Sequence, residues 1–166
     1  AHQVQQSLRR YQSDLISGLL PAAIADGLTS EFIHDLEHLA VLLDGGITDA
    51  VYAEVVGHGE IWSARLMAAV LNQQGLDAAW LDARDFLRAE RAAQPQVNEG
   101  ASYPLLQQQL AQYPGKRIVV TGFISRNEAG ETVLLGRNGS DYSATQIGAL
   151  GDVSRVTIWS DVAGVY

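Results

Sequence analysis

With 166 residues, 47% of them hydrophobic and 18% charged, the chain is long enough for one domain with a proper core and too apolar to be disordered. A formal net charge of −8 excludes a general affinity for nucleic acid or for an anionic membrane, and the absence of cysteine excludes disulfides and thiolate chemistry. The first thirty residues lack the unbroken apolar core of a signal peptide and no window approaches the ~18 apolar residues of a membrane span, so a soluble, cytoplasmic domain is expected.

In chain order, Val4, Leu8, Tyr11, Leu15 and Leu19 repeat at helical spacing as far as Pro21. Ser30 is placed to cap a second helix in which Phe32, Ile33, Leu36, Leu39, Ala40 and Leu43 form one stripe, ended by Gly45-Gly46. A third helix, Glu60 to Gln74, is apolar nearly all round and is expected to be well buried, with Gly75 ending it. Ala78 to Leu81 reads as a short strand and Tyr103 to Tyr113 as a helix closed by Pro114-Gly115. Arg117 to Ile124, RIVVTGFI, reads as the clearest strand, and Glu131 to Leu135 as another after the turn Asn127-Glu128-Ala129-Gly130. Ser140 to Leu150 reads as a helix and Arg155 to Trp159 as a final strand. Helices alternating with apolar, non-alternating strands predict an α/β fold with an open, mostly parallel sheet between helical layers. Residues 1–56 are expected to be mostly helical and 57–166 to form the α/β part. Both ends lack a polar tail and the chain begins without Met, which reads as a piece truncated at both ends.

Neither GxxxxGK[ST] nor GxGxxG occurs. His34-Asp35-Leu36-Glu37-His38 matches HxxEH, the inverted zinc-peptidase pattern. At 100° per residue, however, both histidines fall opposite Leu36, the centre of the apolar stripe, and His2 and His58 supply no third ligand, so no metal site is assigned. Gly57-His58-Gly59-Glu60 reads either as a glycine-rich loop before a helix or as a ligand site in which Glu60 holds a cationic group. Thr121-Gly122-Phe123 puts small residues where α/β proteins bind ligands, at a strand's carboxyl end, unless they mark a bulge. In LLGRNGSDYSAT, Ser140 and Asp141 can cap a helix, but a cap leaves Arg137 unexplained. A guanidinium beside glycine amides and a helix N-terminus makes an anion site. Ser160-Asp161 and Tyr166, after the last predicted strand, suit a purine nucleotide.

Taken in order, GHGE, VTGFI, LLGRNGSDYSAT and WSDVAGVY resemble the motif series of aspartate kinases in the amino-acid kinase superfamily, nearest to the kinase portion of the methionine-branch bifunctional aspartokinase/homoserine dehydrogenases. The resemblance covers essentially the whole chain. It implies an α/β fold joining ATP and L-aspartate to give 4-phosphoaspartate, with Mg²⁺ bridging the phosphates in the intact enzyme. By position it implies that Glu60 holds the substrate ammonium, that Arg137 clamps its α-carboxylate, and that Phe123 and Ser140 line the same pocket. Asp141 would organise phosphoryl transfer, and Ser160, Asp161 and Tyr166 would contact the nucleotide. Asn138 stands where monofunctional relatives commonly have glycine, and Ser160 where threonine is usual. A different amino-acid kinase, acting on another carboxylate or a phosphate acceptor, is the alternative. The family's lysine-bearing KFGG loop is absent, and the one lysine, Lys116, lies at the start of RIVVTGFI, roughly 23 Å of extended chain from Phe123. The 166-residue chain alone is therefore expected to be inactive, the parent to be a homo-oligomer, and an unpaired sheet edge to favour self-association.

Overall fold

In this computed structural model, residues 2–159 are described. Five helices and four short strands follow the order α1 (His2–Leu19), α2 (Ala22–Asp44), α3 (Asp49–Gln73), β1 (Ala78–Leu81), α4 (Glu99–Leu110), β2 (Arg117–Val120), β3 (Ile124–Arg126), β4 (Thr132–Leu134) and α5 (Gly139–Leu150), with a 3-10 turn at Ala83–Asp85. The architecture is mixed α/β, as expected, and the sheet component is small. β1 pairs in parallel with β2, Ala78 opposite Arg117 through Leu81 opposite Val120. β3 and β4 form an antiparallel hairpin, Ile124 opposite Leu134.

The first three elements stack in sequence, α1 on α2 and α2 on α3, and α3 then lies across β1, β2 and β4. Two apolar clusters result. Ile16, Leu20, Ala25 and Leu66 join the helices, while Ile61, Leu81, Phe86, Leu87, Leu106, Ile124, Leu135 and Leu150 close the α/β part. Both clusters draw on α3, which is the common wall of the molecule. Its C-terminus is fixed by chemistry legible in the sequence. Gly75 takes φ 78° and the Leu76 amide donates to Leu71 O at 3.0 Å, the glycine-dependent helix stop. The Asn72 side chain then bonds both the amide and the carbonyl of Ala78, tying α3 to β1.

Several expectations are corrected. In α1 the buried face carries Gln12 and Ile16, continued by Leu20 just past the helix end, whereas Val4, Tyr11, Leu15 and Leu19 are exposed. The helix has two apolar stripes, and the packed one is offset by a residue from the stripe read off the sequence. α2 begins at Ala22 after Pro21, not at Ser30, whose hydroxyl instead donates to Asp26 O inside the helix. α3 begins eleven residues before Glu60, capped by Thr48, whose hydroxyl accepts from the Val51 amide. Gly57-His58-Gly59-Glu60 is therefore mid-helix and not a loop. α4 starts earlier too, at Glu99, where Asn98 Oδ1 accepts from the Ala101 amide. RIVVTGFI does not run as one strand. It pairs only to Val120, turns at Phe123, and resumes as β3. Arg155 to Trp159 forms no strand, since a strand exists only within a ladder and no described strand lies beside it; Trp159 is 91% exposed.

Candidate acceptor site at the first turn of α5

The site is built around a tight junction between the chain after β2 and the start of α5. Phe123 has φ 67°, a left-handed conformation that is a real outlier for an aromatic residue. It is held there on both sides: its amide donates to Ser143 Oγ at 3.1 Å and its carbonyl accepts from Leu135 N at 2.8 Å. The turn 136–138 that leads into α5 is also left-handed at Gly136 (φ 78°) and Asn138 (φ 59°). Asn138 precedes the first helical residue without giving it a side-chain cap, so Ser140 and Asp141 lie within the first turn and do not cap it.

Glycine permits the close approach. A Cβ on Gly139 would sit 2.6 Å from Phe123 Cδ2, and one on Gly122 would sit 3.1 Å from Ser140 Oγ. Beneath this junction lies α3. Gly57 allows α3 to approach Ile124 so closely that a Cβ there would be 3.0 Å from Ile124 Cγ2. One turn further on, the half-buried Glu60 carboxylate accepts a hydrogen bond from the Gly122 amide. Burial pushes the Glu60 carboxyl above its ordinary range, and that hydrogen bond opposes the rise without cancelling it. No cationic side chain pairs with Glu60 among the described residues. A half-buried carboxylate in that condition favours an incoming cation.

At the turn into α5, Arg137 and Asp141 line a cavity of about 520 Å³ with Asn138, Tyr142 and Thr145. Its facing wall is the stretch from Ala93 to Gln96. Both charged side chains are exposed to it. Glu60, Phe123 and Ser140 are not among the residues lining this cavity. Glu60 thus reaches the junction through Gly122, which abuts Ser140, Phe123 abuts Gly139, and Arg137 and Asp141 line the cavity at the same turn. Ser160, Asp161 and Tyr166 lie outside the described residues.

Two features escaped the sequence reading. Arg84, just after β1, is a partly buried hub: it makes two-pronged contacts with Asp82, donates to Glu54 Oε1 at 2.9 Å, and donates to Thr132 Oγ1 at 3.2 Å. The Thr132 hydroxyl in turn donates to Glu54. Burial by itself would raise the Glu54 carboxyl, but Thr132 and Arg84 hold it below the ordinary range. Burial alone would lower the Arg84 pKa, but its carboxylate partners hold it well above the usual arginine value. The cluster ties α3 and β4 to the segment just after β1. Its only signal in the sequence is the alternation Asp82-Ala83-Arg84-Asp85 after a strand, which does not name Glu54 or Thr132 as partners. The second missed feature is the 93–96 wall, which carries no motif.

The HDLEH segment is structural. Asp35 accepts from Trp62 Nε1 at 3.0 Å and from Arg65 Nη1 at 2.6 Å, joining α2 to α3, while His34 and His38 point to solvent. His58 is buried and bonds the Glu54 carbonyl through Nδ1.

Residues 9–166 match the amino acid kinase family. The chain is 84% identical over its whole length to bifunctional aspartokinase/homoserine dehydrogenase 2 of Escherichia coli K12, of which it covers 20%. Over 79% of its length it is 35% identical to the lysine-sensitive aspartokinase 3 of the same bacterium, covering 30% of that protein. The fold matches the crystal structure of E. coli aspartokinase III in complex with aspartate and ADP with a TM-score of 0.87 at 29% identity, over 98% of this chain and 37% of that one. The chain thus spans well under half the length of each of these relatives.

Proposed function

Because this chain belongs to the amino acid kinase family, we propose that it carries the acceptor site of an aspartate kinase, where the side-chain carboxylate of L-aspartate receives the γ-phosphoryl group of ATP. The observation that carries this reading is the arrangement of charge about the first turn of α5. A carboxylate short of a cation, Glu60, meets the Gly122 amide next to Ser140, and an exposed guanidinium, Arg137, stands at the turn that leads into the same helix. An amino acid brings an ammonium and a carboxylate of opposite sign, and the two side chains match that pair. The structure of aspartokinase III with aspartate and ADP supports the same choice of ligands.

In the reaction, an oxygen of the acceptor's side-chain carboxylate attacks the γ-phosphorus. The bond from that phosphorus to the β–γ bridging oxygen breaks, and ADP leaves with the electron pair. Such a transfer needs little covalent help and depends on positioning and charge neutralisation. Arg137 fixes the acceptor's α-carboxylate by a forked pair of hydrogen bonds. Glu60 holds its ammonium, and Ser140 and Phe123 shape the pocket between them. Asp141 is exposed on the cavity wall and in no ion pair among the described residues, which suits a hard cation that keeps several waters. It would hold Mg²⁺, which supplies neutralisation of phosphate charge. The chain's one lysine, Lys116, is paired with Asp77 at 2.7 Å at the start of β2, away from the strand's carboxyl end. The proposal is therefore made for the full-length protein, and the 166-residue chain alone is proposed to be inactive.

The test is ADP release by the full-length protein across a panel of acceptors, with the acyl phosphate trapped by hydroxylamine. L-aspartate should support release and give a hydroxamate, whereas N-acetyl-L-aspartate, which has no ammonium for Glu60, should not. ADP release that ignores L-aspartate, or that requires a phosphate-bearing acceptor, would overturn the assignment.

A further inference from the structure

The stretch from Ala89 to Val97 has neither helix nor strand of its own, yet it forms one wall of the 520 Å³ cavity. Its neck is closed by an antiparallel bridge between Ala89 and Val97 and by the Asn98 amide donating to Arg88 O at 2.7 Å. Beyond the neck, Ala93, Gln94 and Gln96 are exposed. A loop of this kind, standing off from α5 across an open cavity, needs an anchor on α5 to hold its distance.

Tyr142 supplies that anchor. Its hydroxyl accepts from the Val97 amide at 3.0 Å and donates to Gln96 Oε1 at 3.3 Å. The Gln96 amide nitrogen then donates to Gln94 O at 3.4 Å. A phenol has one proton to give and lone pairs to accept with, and here both capacities are spent on the same loop. Tyr142 is also the neighbour of Asp141, and its amide donates to Asn138 O at 2.9 Å, so it belongs to the turn that carries Arg137 and Asp141. One residue is thereby bonded to both walls.

We propose that Tyr142 is a positioning residue for the Arg137–Asp141 end of the acceptor site, its hydroxyl fixing the 89–97 loop as the wall that faces those two side chains. The proposal rests on the reading of Arg137 and Asp141, which line this cavity, as residues of the acceptor site. The cavity volume falls in the range of small-molecule sites, roughly 300–1,000 Å³, and its width is set by the loop. A wall that touches the acceptor equally before and during transfer contributes uniform binding. Its loss should therefore appear in KM for the acceptor and not in kcat.

The experiment compares the full-length wild type with Tyr142→Phe, which keeps the ring and removes the hydroxyl, and with Gln96→Ala, which breaks one of the two bonds without altering α5. Tyr142→Phe should raise KM for L-aspartate about three- to tenfold, the size expected from one or two neutral hydrogen bonds, with kcat and KM for ATP unchanged. Gln96→Ala should give a smaller shift in the same direction. Hydrogen exchange at the Val97 amide should quicken in Tyr142→Phe while α5 keeps its protection. If the wild type turns over L-aspartate and both variants keep its acceptor KM, or if Val97 exchange does not change, Tyr142 has no such role and the kinase reading stands. Loss of kcat and both KM values together in Tyr142→Phe would mark general damage and overturn the positioning role. A wild type with no L-aspartate-dependent turnover overturns the acceptor-site reading and this proposal with it.

Discussion

Glu60 and Glu54 sit six residues apart on α3 and are driven in opposite directions. Glu60 is raised by burial against a single amide donor, so the folded state binds its proton more tightly than the unfolded chain does. Stability should fall as pH rises from the ordinary carboxylate value of 4.5 through the raised folded value, and the cost is full above that. Glu60→Gln should therefore raise the denaturation midpoint at pH 7 and flatten this slope, while weakening acceptor binding. Chemical denaturation between pH 4 and 8 checks it, and an unchanged slope would show that Glu60 is not the source. Glu54 behaves the other way. Its lowered pKa gives stability that is present above 4.5 and lost as pH falls through the folded value. Arg84 is the cation of that cluster, and Arg84→Ala leaves Asp82 and Glu54 without it. The expected cost is about 3–5 kcal/mol by denaturation. Arg84→Lys should recover part of this, since an ammonium brings charge without the fork. A cost no larger than that of an exposed pair, below about 1 kcal/mol, would mean the cluster contributes little to holding the fold.

At the scale of elements, α3 shows where local sequence signals succeed and where they mislead. Gly75 and the Asn127–Gly130 turn were legible because each requires a backbone conformation that glycine supplies: Gly75 has φ 78° and Gly130 has φ 83°. Gly57 and Gly59 looked like a helix start by the same logic, and they are not. Gly57 is small because Ile124 packs against it, a reason that lives 67 residues away in the chain and leaves no local trace. Gly59 faces open space. Two substitutions separate the readings. Thr48→Ala should cost about 1 kcal/mol by removing the real cap, whereas Gly59→Ala should add about 0.5–1 kcal/mol by improving a helix interior. A destabilising Gly59→Ala with a harmless Thr48→Ala would restore the loop reading. β2 was overextended for a related reason. Val119-Val120-Thr121-Gly122-Phe123-Ile124 has strand composition throughout, and only the contacts of Phe123 with Ser143 and Leu135 impose the left-handed turn.

For the whole molecule, α3 is the member that links the helical third to the α/β part. The Asp35–Arg65–Trp62 contacts fasten it to α2, Arg65 stacks over Trp80 at 4.9 Å, and Gly57 and Glu60 meet the junction before β3. The motif GRNGSD was legible as a candidate site because its composition exceeds what a turn needs, and Glu60 and Phe123 were named beside it from the resemblance alone. What residue patterns could not supply was which of these groups share a wall: Arg137 and Asp141 line the cavity, whereas Glu60 meets Gly122 outside its lining. That depends on the direction of α5 relative to α3, which no periodicity encodes. The central claim, that this turn holds an amino-acid acceptor by its two charges, is tested most directly by the kinetics of Arg137→Ala in the full-length protein. The account predicts KM for L-aspartate raised about 30- to 1,000-fold, the loss of a charge-assisted forked contact worth roughly 2–4 kcal/mol, with KM for ATP nearly unchanged. Wild-type L-aspartate kinetics in Arg137→Ala, or an equal rise in both KM values, would contradict it.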